Sequence, residues 1–318
     1  MKVRQIFELG LKMGIEADPR GVKNVEEYLV QVKKEYSELK PKDKKYFDKS
    51  TLTNPYNDSA IHVDDGKTQV KRVMVGIDIA EGEIILASQL NERKKKIDLV
   101  IAHHPSGKSL ADLHSTMDML TDVYEGIGMP VHIAEKVNEE RMKEVGRGVH
   151  PINHYKITDM AKLLQINLIN THTFTDNVVQ KFLAGYLAKK KPKTISQLVD
   201  CLLEIPEYQE AKKRGAGPNI FAGDPKRRVG KYFVDMTGGT SPSEKIYKEF
   251  STYGISTIVG MHLHENCTKN ASKQNINVVV AGHIASDSLG MNLFLDELEK
   301  KGIEIVPCGG LIRVKRGK

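Results

Sequence analysis

Short apolar runs rich in β-branched residues alternate with helix-patterned segments along most of this chain, and that alternation narrows the fold more than any other feature. VKRVMVGIDI opens the series at Val70, followed by a helical stretch from Glu81 to Lys95 and by DLVIAHHP from Asp98 to Pro105. A helix over Leu110 to Gly126 comes next, then PVHIAEK as a third strand. A largely helical stretch from Asn138 to Gln165, broken near Pro151, leads to the strand NLINTHTF and the helix DNVVQKFLAGYLAKK. Further on, VGKYFVDM, STIVGMHL and NVVVAGHIASD read as strands, with GGTSPSEK as a turn into a helix and LGMNLFLDELEKKG as another helix. Strands that alternate with helices pair in parallel and are covered on both faces. The spacing predicts an α/β protein with two similar α/β domains, each on a mainly parallel sheet, plus an N-terminal helical arm.

The expected segments are an arm and linker over residues 1–69, a first α/β domain over 70–190, a connector or insertion over 191–228, and a second α/β domain over 229–318 that completes the site. VEEYLVQVKKEYSEL has helical spacing, whereas GAGPNIFAGDPKRR is Gly/Pro-rich. A faint internal echo runs from VMVGIDI and AHHP to KYFVDM and MHLHE, suggestive of a duplicated half. A chain of 318 residues has room for two domains.

With 40% hydrophobic and 28% charged residues, a packed core is expected and wholesale disorder is not. The net charge of +7 and pI of 9.0 leave nucleic acid open as a weakly supported partner. The densest basic runs, Lys94 to Lys96 and Lys189 to Lys191, fall at expected helix ends, where cations complement the helix dipole. The three cysteines have no short spacing, so neither a disulfide framework nor a zinc knuckle is indicated, and a reduced, cytoplasmic setting is expected. The opening MKVRQIFELGLKMG is too interrupted for a signal peptide, and no run approaches the roughly 20 apolar residues of a membrane helix.

Three strands run out into histidine and carboxylate or proline: Ala102-His103-His104-Pro105, Thr171-His172-Thr173-Phe174-Thr175-Asp176, and Gly282-His283-Ile284-Ala285-Ser286-Asp287. Ligands of parallel sheets gather beyond the carboxyl ends of the strands. Neutral imidazole with carboxylate suits Zn, Mn, Fe or Co. His103, His104, Asp176, His283 and Asp287 exceed what one tetrahedral zinc takes from protein and suit two ions sharing a carboxylate. Taken singly, each segment has a plainer reading. His103-His104 before Pro105 is an ordinary loop. Thr175 or Asp176 caps a helix beginning at Asn177, and His283 with Asp287 does the same.

His262, His264 and Glu265 form a fourth cluster, read as supporting the ligands, as touching substrate, or as surface residues. GGTSPSEK resembles an anion-binding turn, with Ser241 or Ser243 as an ordinary N-cap the plainer alternative. Asp78 and Glu81 read as turn residues near the site.

The landmarks VGIDIAEGE, DLVIAHHP, NTHTFTDN and VVVAGHIASD, in that order, resemble the Nif-three-like family, some of whose members are described as type 2 GTP cyclohydrolase I. The resemblance spans about Val70 to Val314 and implies two similar α/β domains, a homohexameric ring, and two divalent ions (Zn, Mn or Fe) bound by His103, His104, Asp176, His283 and Asp287. The family usually has Glu at the last of these places. Its Trp-Asp-Asn-x-Gly-Leu opening is missing, and NPYNDSAIHV, from Asn54 to Val63, stands in its place in a chain without Trp.

The function expected is a metal-dependent hydrolase, cyclohydrolase-like, acting on a nucleotide or a small cyclic amide or imidine. His172, His264 and Glu265 are the candidates for moving protons. The alternative is a non-enzymatic metal-binding or regulatory protein that acts through protein interactions.

Overall fold

The computed structural model describes residues 1–316. Nine strands form two sheets among them. The first sheet joins β1 (Ser59–Val63), β4 (Leu168–Thr171), β3 (Leu99–Ala102), β2 (Arg72–Gly76) and β9 (Glu304–Cys308), in that order. The second joins β5 (Asn219–Ala222), β8 (Asn277–Val280), β7 (Ile255–Gly260) and β6 (Lys231–Asp235). Only β1 and β5 run antiparallel to their neighbours. The mixed α/β architecture, the mostly parallel sheets and the N-terminal helices agree with the sequence reading.

Period-two alternation explains how each sheet is covered. Val73, Val75, Leu99 and Ile101 face one core, whereas Met74, Val100 and Ala102 between them face another. The helices Glu81–Glu92 and Lys156–Leu163 close the outer face of the first sheet through Ile84, Ala87 and Ala161. Its inner face meets the N-terminal helix Val3–Ala17 and two long helices, His172–Lys190 and His283–Lys300. Those two long helices also meet the inner face of the second sheet, through Val179, Leu183, Ala285 and Leu289 against Val234, Val259 and Val279. Helices apolar on more than one face are buried on more than one face.

The two helices touch closely. A Cβ built on Gly290 would lie 2.3 Å from the carbonyl oxygen of Thr175, so only glycine permits this approach. Phe174 packs edge-to-face between Phe7 and Phe294, with ring centroids 5.5 and 6.1 Å apart, and so locks the N-terminal helix onto the pair.

Several expectations change. PVHIAEK is the start of the helix Val131–Val149, not a strand; Pro130 precedes its first turn, a common place for proline, and the buried Ala134 and Asn138 recur at helical spacing. The helix expected over Leu110 to Gly126 is three short ones, Gly107–Ala111, Leu113–Thr116 and Met119–Gly126. Sheet membership also cuts across the expected segment limits. The strand Ser59–Val63 pairs with β4, Asn219–Ala222 pairs with β8, and Glu304–Cys308 returns to pair with β2. The last helix carries the chain from the second sheet back to the first, which local patterning does not reveal.

Candidate metal centre

The two long helices begin where the parallel strands end. NLINTHTF stops being strand at Thr171, and His172 is the first helical residue; likewise His283 opens its helix after β8. Asp176 and Asp287 therefore sit one turn into their helices beneath a histidine, the i, i+4 relation that puts two side chains on one face. Neither carboxylate caps its helix, so the plainer capping reading fails. His103 and His104 follow β3 directly, and their amides donate to the carbonyls of Gly76 and Ile77, each at 2.9 to 3.0 Å, which turns the chain at the strand end.

All five expected ligands meet at one point. The Nε2 of His103 lies 3.5 Å from both Asp176 Oδ1 and Asp287 Oδ1. Asp287 Oδ2 lies 3.5 Å from His104 Nε2 and 3.4 Å from His283 Nε2. These spacings are too long for hydrogen bonds. Two ligand atoms about 2.1 Å from a common ion at a tetrahedral angle stand about 3.4 Å apart. Asp176 Oδ1 and both oxygens of Asp287 are buried without a hydrogen-bond partner. Buried carboxylate oxygens without partners are costly. His103, Asp176 and Asp287 form one group able to hold a metal ion, and His104, His283 and Asp287 form another.

The ring orientations agree with that use. Thr175 Oγ1 donates to the carbonyl of Thr171 at 2.6 Å, so it accepts from His103 Nδ1 at 3.1 Å. Asp78 Oδ1 accepts from His104 Nδ1 at 2.7 Å. Both rings thus carry a proton on Nδ1 and turn Nε2 to the carboxylates, the arrangement that oxygen partners give metal-ligating histidines. Asp78, expected only as a nearby turn residue, orients the ring of His104.

Burial lowers His103 to about 4, which keeps its imidazole neutral. His104 is pushed up to about 10, because the carboxylates of Asp287 and Asp78 outweigh the effect of its burial. Burial, then the charges of Asp287 and Asp58, raise Asp176 well above the carboxylate range. Asp287 is held below that range, its burial outweighed by His103 and His104.

His172 joins this cluster, whereas the other two proton carriers expected from the sequence do not. The ring of His172 is 5.1 Å from that of His103, and its Nδ1 donates to the buried Asp58 at 2.8 Å. Glu265 is exposed and pairs with Lys269 one turn along, at 3.2 Å. His264 lies just before the helix Glu265–Lys273. The member of that fourth cluster that reaches the centre is His262, with its ring 4.5 Å from that of His283 and its Nδ1 3.0 Å from Ser241 Oγ. A His-x-His at a strand end turns one ring in and one aside, but the sequence does not say which.

A cavity opens beside the cluster. Its wall runs from Asp235 through Thr237, Gly239, Thr240, Ser241 and Pro242, facing His172, Asp176, His262 and His283. GGTSPSEK thus lines the site as a loop, and the helix after it begins only at Ile246. Burial raises the carboxyl of Asp235 to about 7.

No protein-family model and no curated protein matches this chain. Among solved structures, a NIF3 superfamily protein from Sphaerobacter thermophilus superposes with a TM-score of 0.79 at 23% identity, over 98% of this chain and 99% of that one. This chain has the NIF3 fold. Reduced HcgD from Methanocaldococcus jannaschii is more distant, with a TM-score of 0.47 at 17% identity over 81% of this chain and 91% of that one. The NIF3 fold agrees with the resemblance read from the four landmark motifs. No helix among the described residues is long and apolar enough to cross a membrane.

Proposed function

We propose that this NIF3-fold protein binds two divalent metal ions and is a metal-dependent hydrolase of a nucleotide or small cyclic amide or imidine. The observation that carries the proposal is the set of partnerless buried oxygens on Asp176 and Asp287, ringed by Nε2 atoms at 3.4 to 3.5 Å. His103 with Asp176 would hold one ion and His104 with His283 the other, Asp287 giving one oxygen to each. When bound, such ions supply Lewis acidity and an acidified water. Asp287 stands where the resembled family usually has Glu, which is one methylene longer.

The chain's own side chains supply the rest. Asp235, raised to about 7 on the cavity wall, is placed to take or give a proton near neutrality. His262, lowered to about 4 by burial and by His283, stays neutral and offers a ring nitrogen to a polar substrate. The hydroxyls of Thr237, Thr240 and Ser241 suit a small polar ligand. A homohexameric ring in the cytoplasm remains part of this proposal, and light scattering checks the ring.

Elemental mass spectrometry of purified protein tests the core of the reading. Near two divalent ions per chain in the parent, and clearly fewer in His104→Ala, is the expected result and opens a substrate screen with nucleotides and cyclic amides. No metal after incubation with Zn, Mn or Fe refutes it. Bound metal without turnover on any of these substrates favours a metal-binding or regulatory protein.

A further inference from the structure

His172 stands in the first half where His283 stands in the second. Each opens the helix that follows the third parallel strand of its half, and each precedes an aspartate of the cluster by four residues. The rings of His172, His103 and His104 form a triangle with centroids 5.1, 5.1 and 5.9 Å apart, and that of His283 lies 5.1 Å from His104. His172 is also anchored as His103 and His104 are, with Nδ1 on an oxygen. Its anchor, Asp58, is fully buried and accepts a second hydrogen bond from Thr173 Oγ1 at 2.6 Å; its backbone carbonyl accepts from Asn170 Nδ2, also at 2.6 Å. With Nδ1 donating, the lone pair of His172 lies on Nε2, on the ring edge away from Asp58. His103, His104 and His172 form a third group whose ligand atoms lie within 4.8 Å of one another.

We propose that His172 is a sixth protein ligand of the dinuclear centre, on its His103 side, and that Asp58 is the positioning residue that sets its ring. This rests on the metal-dependent reading above. Each ion is then held by a pair of imidazoles, His172 with His103 and His104 with His283. The halves differ in one respect. His283 Nε2 approaches its own helix's Asp287 to 3.4 Å, whereas the ring of His172 is drawn to Asp58 rather than to Asp176. His172 therefore joins the centre through its histidine neighbours. Asp58 comes from NPYNDSAIHV, which gives that divergent segment a task at the site.

The test titrates the full-length, metal-free protein with Co(II) and follows visible absorption, with His172→Ala, Asp58→Asn and His104→Ala beside the parent. The expected result is that His172→Ala weakens one of the two Co(II) ions at least about tenfold and changes its absorption bands. Asp58→Asn is expected to change the same bands, with a loss of about 10–100-fold. If His172→Ala fails to fold by circular dichroism, Asp58→Asn and His172→Gln carry the test at nearly constant volume. Parent affinity and parent bands in the His172 and Asp58 variants, alongside loss in His104→Ala, overturn the proposal and leave the dinuclear reading standing. A parent that binds no Co(II) overturns both.

Discussion

In the first sheet the order is β1-β4-β3-β2, and in the second β5-β8-β7-β6; each has an antiparallel edge strand beside the third parallel strand. Each half then sends a long helix from that third parallel strand, with histidine first and aspartate four residues on. The halves part company at the strand before. β3 ends in adjacent histidines, and both Nε2 atoms reach the carboxylates. β7 ends in His262-Leu263-His264, and only His262 comes near the cluster. Backing differs too. Thr175, Asp78 and Asp58 hold the first half's rings, whereas the side chain of His283 is 39% exposed. One architecture used twice has become a half whose rings are all held from behind and a half with a more exposed helix-opening histidine, and both line the cavity.

The two aspartates offer the sharpest way to break this comparison. Their positions match, yet Asp287 touches three imidazoles and Asp176 one. Asp287→Ala is expected to abolish binding of both ions, far beyond the roughly 10–100-fold that loss of a supporting partner costs. Asp176→Ala is expected to weaken mainly the ion beside His103. Isothermal titration with Zn decides it, and equal losses in the two variants would make the halves equivalent.

His103 and His104 sharpen it through pH. Burial holds His103 at about 4, so it is neutral at any pH well above that; His104, at about 10, keeps a proton that an ion must displace. Metal affinity should therefore rise with pH through neutrality, by up to tenfold per pH unit for each proton displaced. The metal-free fold responds with the opposite sign. His104 is raised above its unfolded value of about 6.5, so its contribution is complete below that pH and is lost as pH rises toward about 10. His103 is depressed, so its burial costs stability as pH falls from about 6.5 to about 4. Unfolding midpoints of metal-free protein from about pH 4 to about pH 10 test both limbs, and His104→Gln should flatten the alkaline one.

The strand ends could be read from sequence because β-branched runs stop abruptly at polar residues, and the rule for parallel sheets places those stops together. Less could be read where a contact depends on long-range return. Glu304–Cys308 is a short edge strand containing Pro307, with little local signature, yet it closes the first sheet. Asp58 lies in a segment without helical or strand period, so its reach to His172 is visible only in three dimensions. PVHIAEK misled because β-branched residues at a helix start imitate a strand over four residues.

The paired helices differ in a second way, through one glycine each. Gly290 has no space for a methyl group, since Thr175 O would lie 2.3 Å away, whereas nothing lies within 4 Å of a Cβ on Gly185. Gly290→Ala should cost about 1–3 kcal/mol from forced repacking. Gly185→Ala should gain about 0.5–1 kcal/mol, because alanine loses less chain entropy in a helix. Urea unfolding measures both, and the same sign for both would show that the helix contact yields.

The smallest effects should fall on the fourth cluster, and there the contrast lies within a single strand end. Glu265 is exposed and tied only to Lys269, an i, i+4 pair worth a few tenths of a kcal/mol. Glu265→Gln should leave stability within about 0.5 kcal/mol of the parent and metal content unchanged. His262→Ala should also leave both ions bound, because among the described residues His262 belongs to none of the groups able to hold a metal. It removes a ring packed 4.5 Å from that of His283, however, and leaves Ser241 without its partner on the cavity wall. The Co(II) spectrum should therefore shift slightly in His262→Ala and not in Glu265→Gln. If Glu265→Gln moves the spectrum and His262→Ala does not, the second half turns the other side of its histidine cluster to the ions, and the roles of its two histidines are reversed.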